Sequence, residues 1–368
     1  MMIDISPRSI GNLNADPALP DHLYLPFEGG DIGPGHAFNP VTGVPYEPEM
    51  VLRGDFTRVL AEFWADGPDS ETPPGHWFTI LNDATSHPDF DWRWNGQGEP
   101  LEPSAWLARA YRLLGGAMHD AAIAAWSIKG HYDFVRPISA IRYMLSKGQS
   151  SDPTLSNFDP EGVPLIEGVF EIIEAGDPIL TWMPQALGTV KVHQWVPDSE
   201  TGVSSFEWRA GCSWWPYQRP TFVTPPFAGY VSGHSTFSRA AAGVLAHATG
   251  SSYFPGGLGT YEVEAEAFLA FESGPTSSFT LQWATYRDAA DQCALSRIWG
   301  GIHPPMDDIR GRVVGSAVAE RAIEAFEEAA LAVGYGASCL TDLNANGTVG
   351  TSDLLILLSD FGNDCDPD

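Results

Sequence analysis

The stretch "FAGYVSGHSTFSRAAAGVL", residues 227–245, has a helical texture from His234 onward, with Ser232 placed as an N-cap ahead of it. A helix N-terminus presents unpaired N–H groups and the positive end of a dipole, so it holds an anion readily. Ser232 and His234 add a hydroxyl and an imidazole at that end. Ser-Gly-His is also what an N-cap serine followed by a chance histidine looks like, so the triplet has to be weighed with its company.

Two further stretches supply that company. "KGHYDFVRP" (129–137) sets Lys129 seven residues before Arg136, and "SRIWGGIH" (296–303) sets Arg297 six residues before His303. Singly, cations and histidines at helix ends are ordinary solvated or salt-bridged groups. Jointly they amount to three cations, a hydroxyl, a helix N-terminus and two imidazoles. They occur in a chain with 19 Lys+Arg against 47 Asp+Glu, a formal charge of −28. Fixed positive groups around two imidazoles suit a tetrahedral oxyanion that passes through a five-coordinate state.

The acidic surface repels nucleic acid and anionic membranes, which removes both from the expected partners. No apolar run reaches the ~18 residues of a membrane span, and the opening "MMIDISPRSIGNLNADPALP" lacks the basic start and apolar stretch of a signal peptide. With 368 residues, 43% of them hydrophobic, the chain can form one large domain and an appendage. Residues 1–50, rich in Gly, Pro, Asp and Asn, are expected to form an irregular arm packed on the main domain. Residues 51–335 are expected to form an all-α helical bundle. Its candidate helices are 54–67, 103–129, 164–176, 234–250, 285–301 and 307–334, and the Pro- and Trp-rich section 178–231 is expected to form loops over the bundle's mouth. Cys212 and Cys293 are expected as isolated buried thiols.

At residue 336 the texture changes. "TDLNANGTVGTSDLLILLSDFG" places Asp342, Asn344, Asn346, Gly347, Thr348 and Asp353 at positions 1, 3, 5, 6, 7 and 12 of a calcium loop. A helix follows with Leu354, Leu357, Leu358 and Phe361 on one face. The alternative is an Asn-Gly turn before an ordinary helix. Cys339 and Cys365 bracket residues 336–368 in the manner of a disulfide, which implies an oxidising, secreted or extracytoplasmic setting. So short a segment needs such staples to fold. Loop and helix resemble one half of a dockerin repeat, which suggests a protein partner or anchor.

The order Lys-x6-Arg-Pro, Ser-Gly-His, Ser-Arg-x5-His resembles the signature shared by vanadium-dependent haloperoxidases and type 2 phosphatidic acid phosphatases. The flanks "DAAIAAWSIKGHYDFVRPISAIR" and "PPFAGYVSGHSTF" are most similar to the soluble bacterial haloperoxidase branch, over roughly residues 55 to 330. The departures are Val231, where proline is usual, and "HPPMDD", where an aromatic or basic residue commonly follows the last histidine. The resemblance implies a helical bundle of the haloperoxidase and acid phosphatase type, with vanadate as cofactor and His303 as its protein ligand. It implies that Lys129, Arg136 and Arg297, Ser232 and the N–H of Gly233 bind the vanadate oxygens, and that His234 is the acid–base. Trp126 and Phe227 match halide-side positions, with plain core packing as the alternative. Asp307 is placed to orient His303 or to form a surface salt bridge. Asp66 is the candidate acidic partner of His234. The implied reaction takes hydrogen peroxide and a halide, bromide and also chloride, to hypohalous acid or its equivalent, which halogenates a small organic acceptor. The rivals are a phosphatase in which His303 attacks phosphorus, and a non-catalytic scaffold tethered by the tail.

Overall fold

The computed structural model describes residues 2–9, 35–65, 70–155, 157–197, 203–218 and 224–332, with residues 351, 352 and 355. The calcium-loop residues Asp342, Asn344, Asn346, Thr348 and Asp353, the cysteines 339 and 365, and Asp66 lie outside these described residues.

The helices are α1 (Arg53–Phe63), α2 (Pro73–Ser86), α3 (Pro103–Tyr132), α4 (Pro137–Lys147), α5 (Gly233–Thr249), α6 (Tyr286–Trp299) and α7 (Pro305–Ala332). The sequence pattern anticipates α1, α3, α5, α6 and α7 and passes over α2 and α4. All-α is a correction. Among the described residues, short strands pair antiparallel in three small sheets: β1 (Met2–Asp4) with β2 (Met50–Leu52), β3 (Phe170–Ile172) with β4 (Val190–Val196) and β5 (Ser205–Ala210), and β6 (Gly259–Val263) with β7 (Phe279–Trp283).

The helix expected over 164–176 is absent. Gly168 turns the chain at φ 77°, and Phe170, Glu171 and Ile172 pair with Val192, Lys191 and Val190. Its apolar letters serve a sheet edge, where aromatic and β-branched residues pack well. Nor is 178–231 loop throughout, since it carries the β4–β5 hairpin, whose Val190 and Val192 pack on Leu145 and Val163 in a small separate core. Cys212 is exposed where a buried thiol was expected, and Cys293 is buried.

The main core is built from α1, α2, α3, α5, α6 and the β6–β7 sheet around the fully buried Trp64, Trp77 and Trp106. Their indole N–H groups are satisfied inside the protein: Trp64 donates to Gln292 Oε1 at 3.1 Å and Trp77 to Ser238 Oγ at 3.0 Å. The described part of the arm lies on this body. Asn39 Nδ2 donates to Gly256 O at 2.8 Å, and Tyr46 OH donates to Gly257 O at 2.5 Å.

Helix α5 packs most extensively against α7, then against α6 and α3. The α5–α7 approach is close because small residues face it. A Cβ on Gly311 would stand 2.8 Å from Ser232 O, and one on Gly315 would stand 2.4 Å from Thr236 O. Gly311 and Gly315 are four apart and share one face of α7, so the start of α5 lies against that helix backbone to backbone. Ser232 N–H donates to Asp307 O at 3.0 Å, which pins the junction.

Candidate active site

Five helix ends converge around one cavity of about 370 Å³. Lys129 is in the last turn of α3, which Asp133 ends in the left-handed conformation at φ 45°. Arg136 is the residue before α4, and Pro137 takes the first helical position, where its fixed φ and missing N–H are suited. Ser232 caps α5, so Gly233 and His234 occupy its first turn. Arg297 lies in the last turn of α6, His303 in the link to α7, and Asp307 in the first turn of α7. The Lys-x6-Arg-Pro, Ser-Gly-His and Arg-x5-His spacings are thus the lengths of three helix-to-helix or loop-to-helix corners.

Lys129, Arg136, Gly233, His234, Arg297 and His303 line the cavity. Ser232 does not. It is fully buried, and its Oγ accepts from Ser235 N at 3.2 Å as an N-cap. Lys129 and Arg136 rest on main-chain carbonyls, not carboxylates. Lys129 Nζ donates to Ala228 O at 2.9 Å and Gly229 O at 2.8 Å. Arg136 donates to Phe227 O at 2.9 Å and Ile302 O at 3.2 Å. Arg297 Nη1 reaches the carbonyls of Ala61, at 3.4 Å, and Trp64, at 3.2 Å.

Carbonyls orient a cation without cancelling its charge, so the partners of Lys129 and Arg136 leave both able to attract an anion in an acidic molecule. Burial first, and then repulsion from Arg136, pulls the Lys129 ammonium down to about 7. Burial pulls Arg136 down to about 10. His303 is held well below the ordinary imidazole value by burial, and then by Arg136, Lys129, Arg297 and His234. Its ring is therefore neutral. Nδ1 lies 2.7 Å from Asp307 Oδ2, and Nε2 lies 2.8 Å from Arg136 Nη1. An arginine only donates, so Nε2 accepts and the ring proton sits on Nδ1, donated to Asp307. Asp307 is fully buried, which makes this an interior pair and not a surface salt bridge. Burial raises its carboxyl to about 6.

The walls are apolar. The rings of Trp126 and Phe227 stand 5.3 Å apart, and Lys129 Nζ lies 5.7 Å and 5.3 Å from their centroids. A Cβ on Gly233 would come within 3.1 Å of the Trp126 ring, so a side chain there would press on that indole. Tyr217 and Phe271 complete the wall, and sequence reasoning missed both. Glu62 fastens them, accepting from Tyr217 OH at 2.8 Å and from the amides of Ala270, at 2.7 Å, and Phe271, at 3.3 Å. Burial raises the carboxyl of Glu62. No local sequence signal marks this trio, whose members are joined only by the fold.

The family described as the VCPO second helical-bundle domain matches residues 109–155 and 175–330, more than half of the chain. No curated protein sequence matches. Among solved structures, a holo-type bacterial vanadium-dependent chloroperoxidase superposes with a TM-score of 0.50 at 17% identity, covering 74% of this chain and 44% of that one. An apo-type structure gives 0.50 at 18%, covering 74% and 45%. The chain thus spans less than half the length of these two structures. It belongs to the family of the VCPO second helical-bundle domain.

Proposed function

We propose that the protein is a vanadate-dependent haloperoxidase oxidising bromide, and also chloride, with hydrogen peroxide. The observation that carries this reading is the convergence of three buried cations with a neutral imidazole whose Nε2, at the cavity lining, accepts from Arg136 and whose Nδ1 is held by Asp307. That donor set fits vanadate: the cations oppose its oxyanion, the first turn of α5 is aimed at the same cavity, and the ring would supply a nitrogen ligand once Arg136 Nη1 turns from it to the oxyanion. The fold shared with bacterial vanadium-dependent chloroperoxidases supports it.

In this reading Lys129, Arg136 and Arg297 bind the oxyanion, and His303 holds the metal through Nε2. Asp307 fixes the ring by accepting the Nδ1 proton, as carboxylates behind ligating histidines do. Ser232 sets the direction of the α5 amides as its cap and keeps a hydroxyl proton to donate. His234 takes and returns a proton at its ring nitrogen as peroxide enters. Trp126 and Phe227 keep water from the halide side. Bound vanadate supplies a Lewis acid that activates peroxide toward halide at one oxidation level. A small organic acceptor takes up the oxidised halide. Asp66 remains the proposed acidic partner of His234. The tail is proposed to bind calcium through Asp342, Asn344, Asn346, Thr348 and Asp353 in an exported protein.

Apo protein given orthovanadate should acquire peroxide-dependent bromination, bromide reacting more readily than chloride, and phosphate should suppress the reconstitution. A phosphatase using His303 as nucleophile would instead be inhibited by vanadate. Strong phosphatase turnover blocked by vanadate, with no bromination between pH about 5 and 8, where histidine titrates, would overturn the proposal.

A further inference from the structure

A second cavity, of about 520 Å³, lies between α5, the start of α6 and α7. Its α5 residues Arg239, Ala242, Gly243 and Ala246 occupy the face opposite Gly233, His234 and Phe237, so it is separate from the candidate active site. Arg239 is 3% exposed and belongs to a buried charge cluster. Its Nη2 pairs with Asp291, which also takes Arg312 Nη1 at 2.8 Å, and Asp308 holds Arg312 through two contacts at 2.7 and 2.8 Å. Two guanidiniums meet two carboxylates, and the cluster balances.

Arg239 nevertheless has donors to spare. Its Nε and Nη1 are buried and have no hydrogen-bond acceptor among the described residues. Buried donors are normally paired, and arginine cannot escape the cost by losing its proton. Arg239 lines the cavity while these two nitrogens are closed to solvent, so an acceptor in the cavity would complete them once the guanidinium turns toward it. Arg287 adds a second positive charge to the same lining. Ala242, Ala246, Ala319 and Ile323 supply apolar wall, and the exposed carboxylate of Glu320 opposes a multiply charged anion. We propose that this cavity is a second ligand site taking a singly charged organic carboxylate with a compact apolar body, its oxygens on Arg239 and Arg287.

Benzoate is a suitable probe, titrated calorimetrically into the full chain, into Arg136→Met and into Arg239→Gln. One class of benzoate binding should survive Arg136→Met and weaken at least tenfold in Arg239→Gln. The proposal is overturned if the unmodified protein binds no benzoate, or if binding is lost with Arg136→Met and retained with Arg239→Gln. Arg239→Gln takes a partner from Asp291 and could fail to fold, so photolabelling of the unmodified protein with para-azidobenzoate gives a second readout. Crosslinks should fall within residues 239–246 and 316–323. Crosslinks confined to residues 126–136 and 225–237 would place benzoate in the catalytic cavity and reject the second site.

Discussion

Lys129 keeps a positive charge on two carbonyls, and with its pKa pulled down to about 7 that charge is lost just where an enzyme works. The sign is fixed by linkage. A bound anion favours the ammonium, so binding raises this pKa, and the complex takes up a proton whenever the free site is deprotonated. Sulfate affinity, free of any titration of the ligand itself, should fall by up to tenfold per unit as the pH rises above about 7. Calorimetry in buffers of different ionisation enthalpy would show the proton uptake, and Lys129→Met should abolish the dependence. His303→Ala should lose vanadate on dialysis. His234→Ala should retain it and lose about 10²–10⁴ in peroxidase rate, the usual worth of acid–base help. If both variants retained vanadate equally, His303 would not be the ligand. Asp307→Asn should weaken vanadate binding about 10–100-fold by freeing the ring. The cations and histidines were legible from spacing because each sits at a helix corner of fixed length. The Glu62–Tyr217–Phe271 wall was not, since its members meet only after α1 and two remote loops come together.

At the scale of elements, the α5–α7 junction joins the Ser-Gly-His corner to the His303–Asp307 corner. Adding a methyl at Gly311 would meet backbone oxygen and the Ser235 Cβ, both at 2.8 Å, with nowhere to relax but by separating the helices. Gly311→Ala should therefore cost about 1–3 kcal/mol in chemical unfolding, as overpacking does. Unchanged stability would mean that the helices slide apart easily. Gly233→Ala acts differently, pressing on a half-exposed Trp126 that can swing away, so its signature should be altered halide kinetics with little change in stability. The long helices were legible because α3 and α7 sustain Ala-rich patterns with regularly spaced apolar residues. The strands were not. Segments of three to seven residues carry too few alternations to compete with a helical pattern, and β3 owes its form to β4.

For the whole molecule, the charge of −28 makes the electropositive cavity an exception built from the few cations available, and an anion that enters it depends on the local field against the molecule's overall repulsion. The tail from residue 336 carries its own prediction. Peptide mapping of unreduced protein should recover a Cys339–Cys365 crosslink, and two free thiols there would remove the argument for export. The glycine-lined contact of α5 with α7 has a consequence for motion as well. Flexible side chains at a helix interface let it breathe by small steps, but main chain set directly on another helix either stays seated or comes away entirely. The amides of residues 235–240 and 311–316 should accordingly exchange with deuterated solvent together, at a common slow rate set by one large cooperative opening. On that account the two halves of the candidate active-site cavity have no half-assembled form between intact and unfolded.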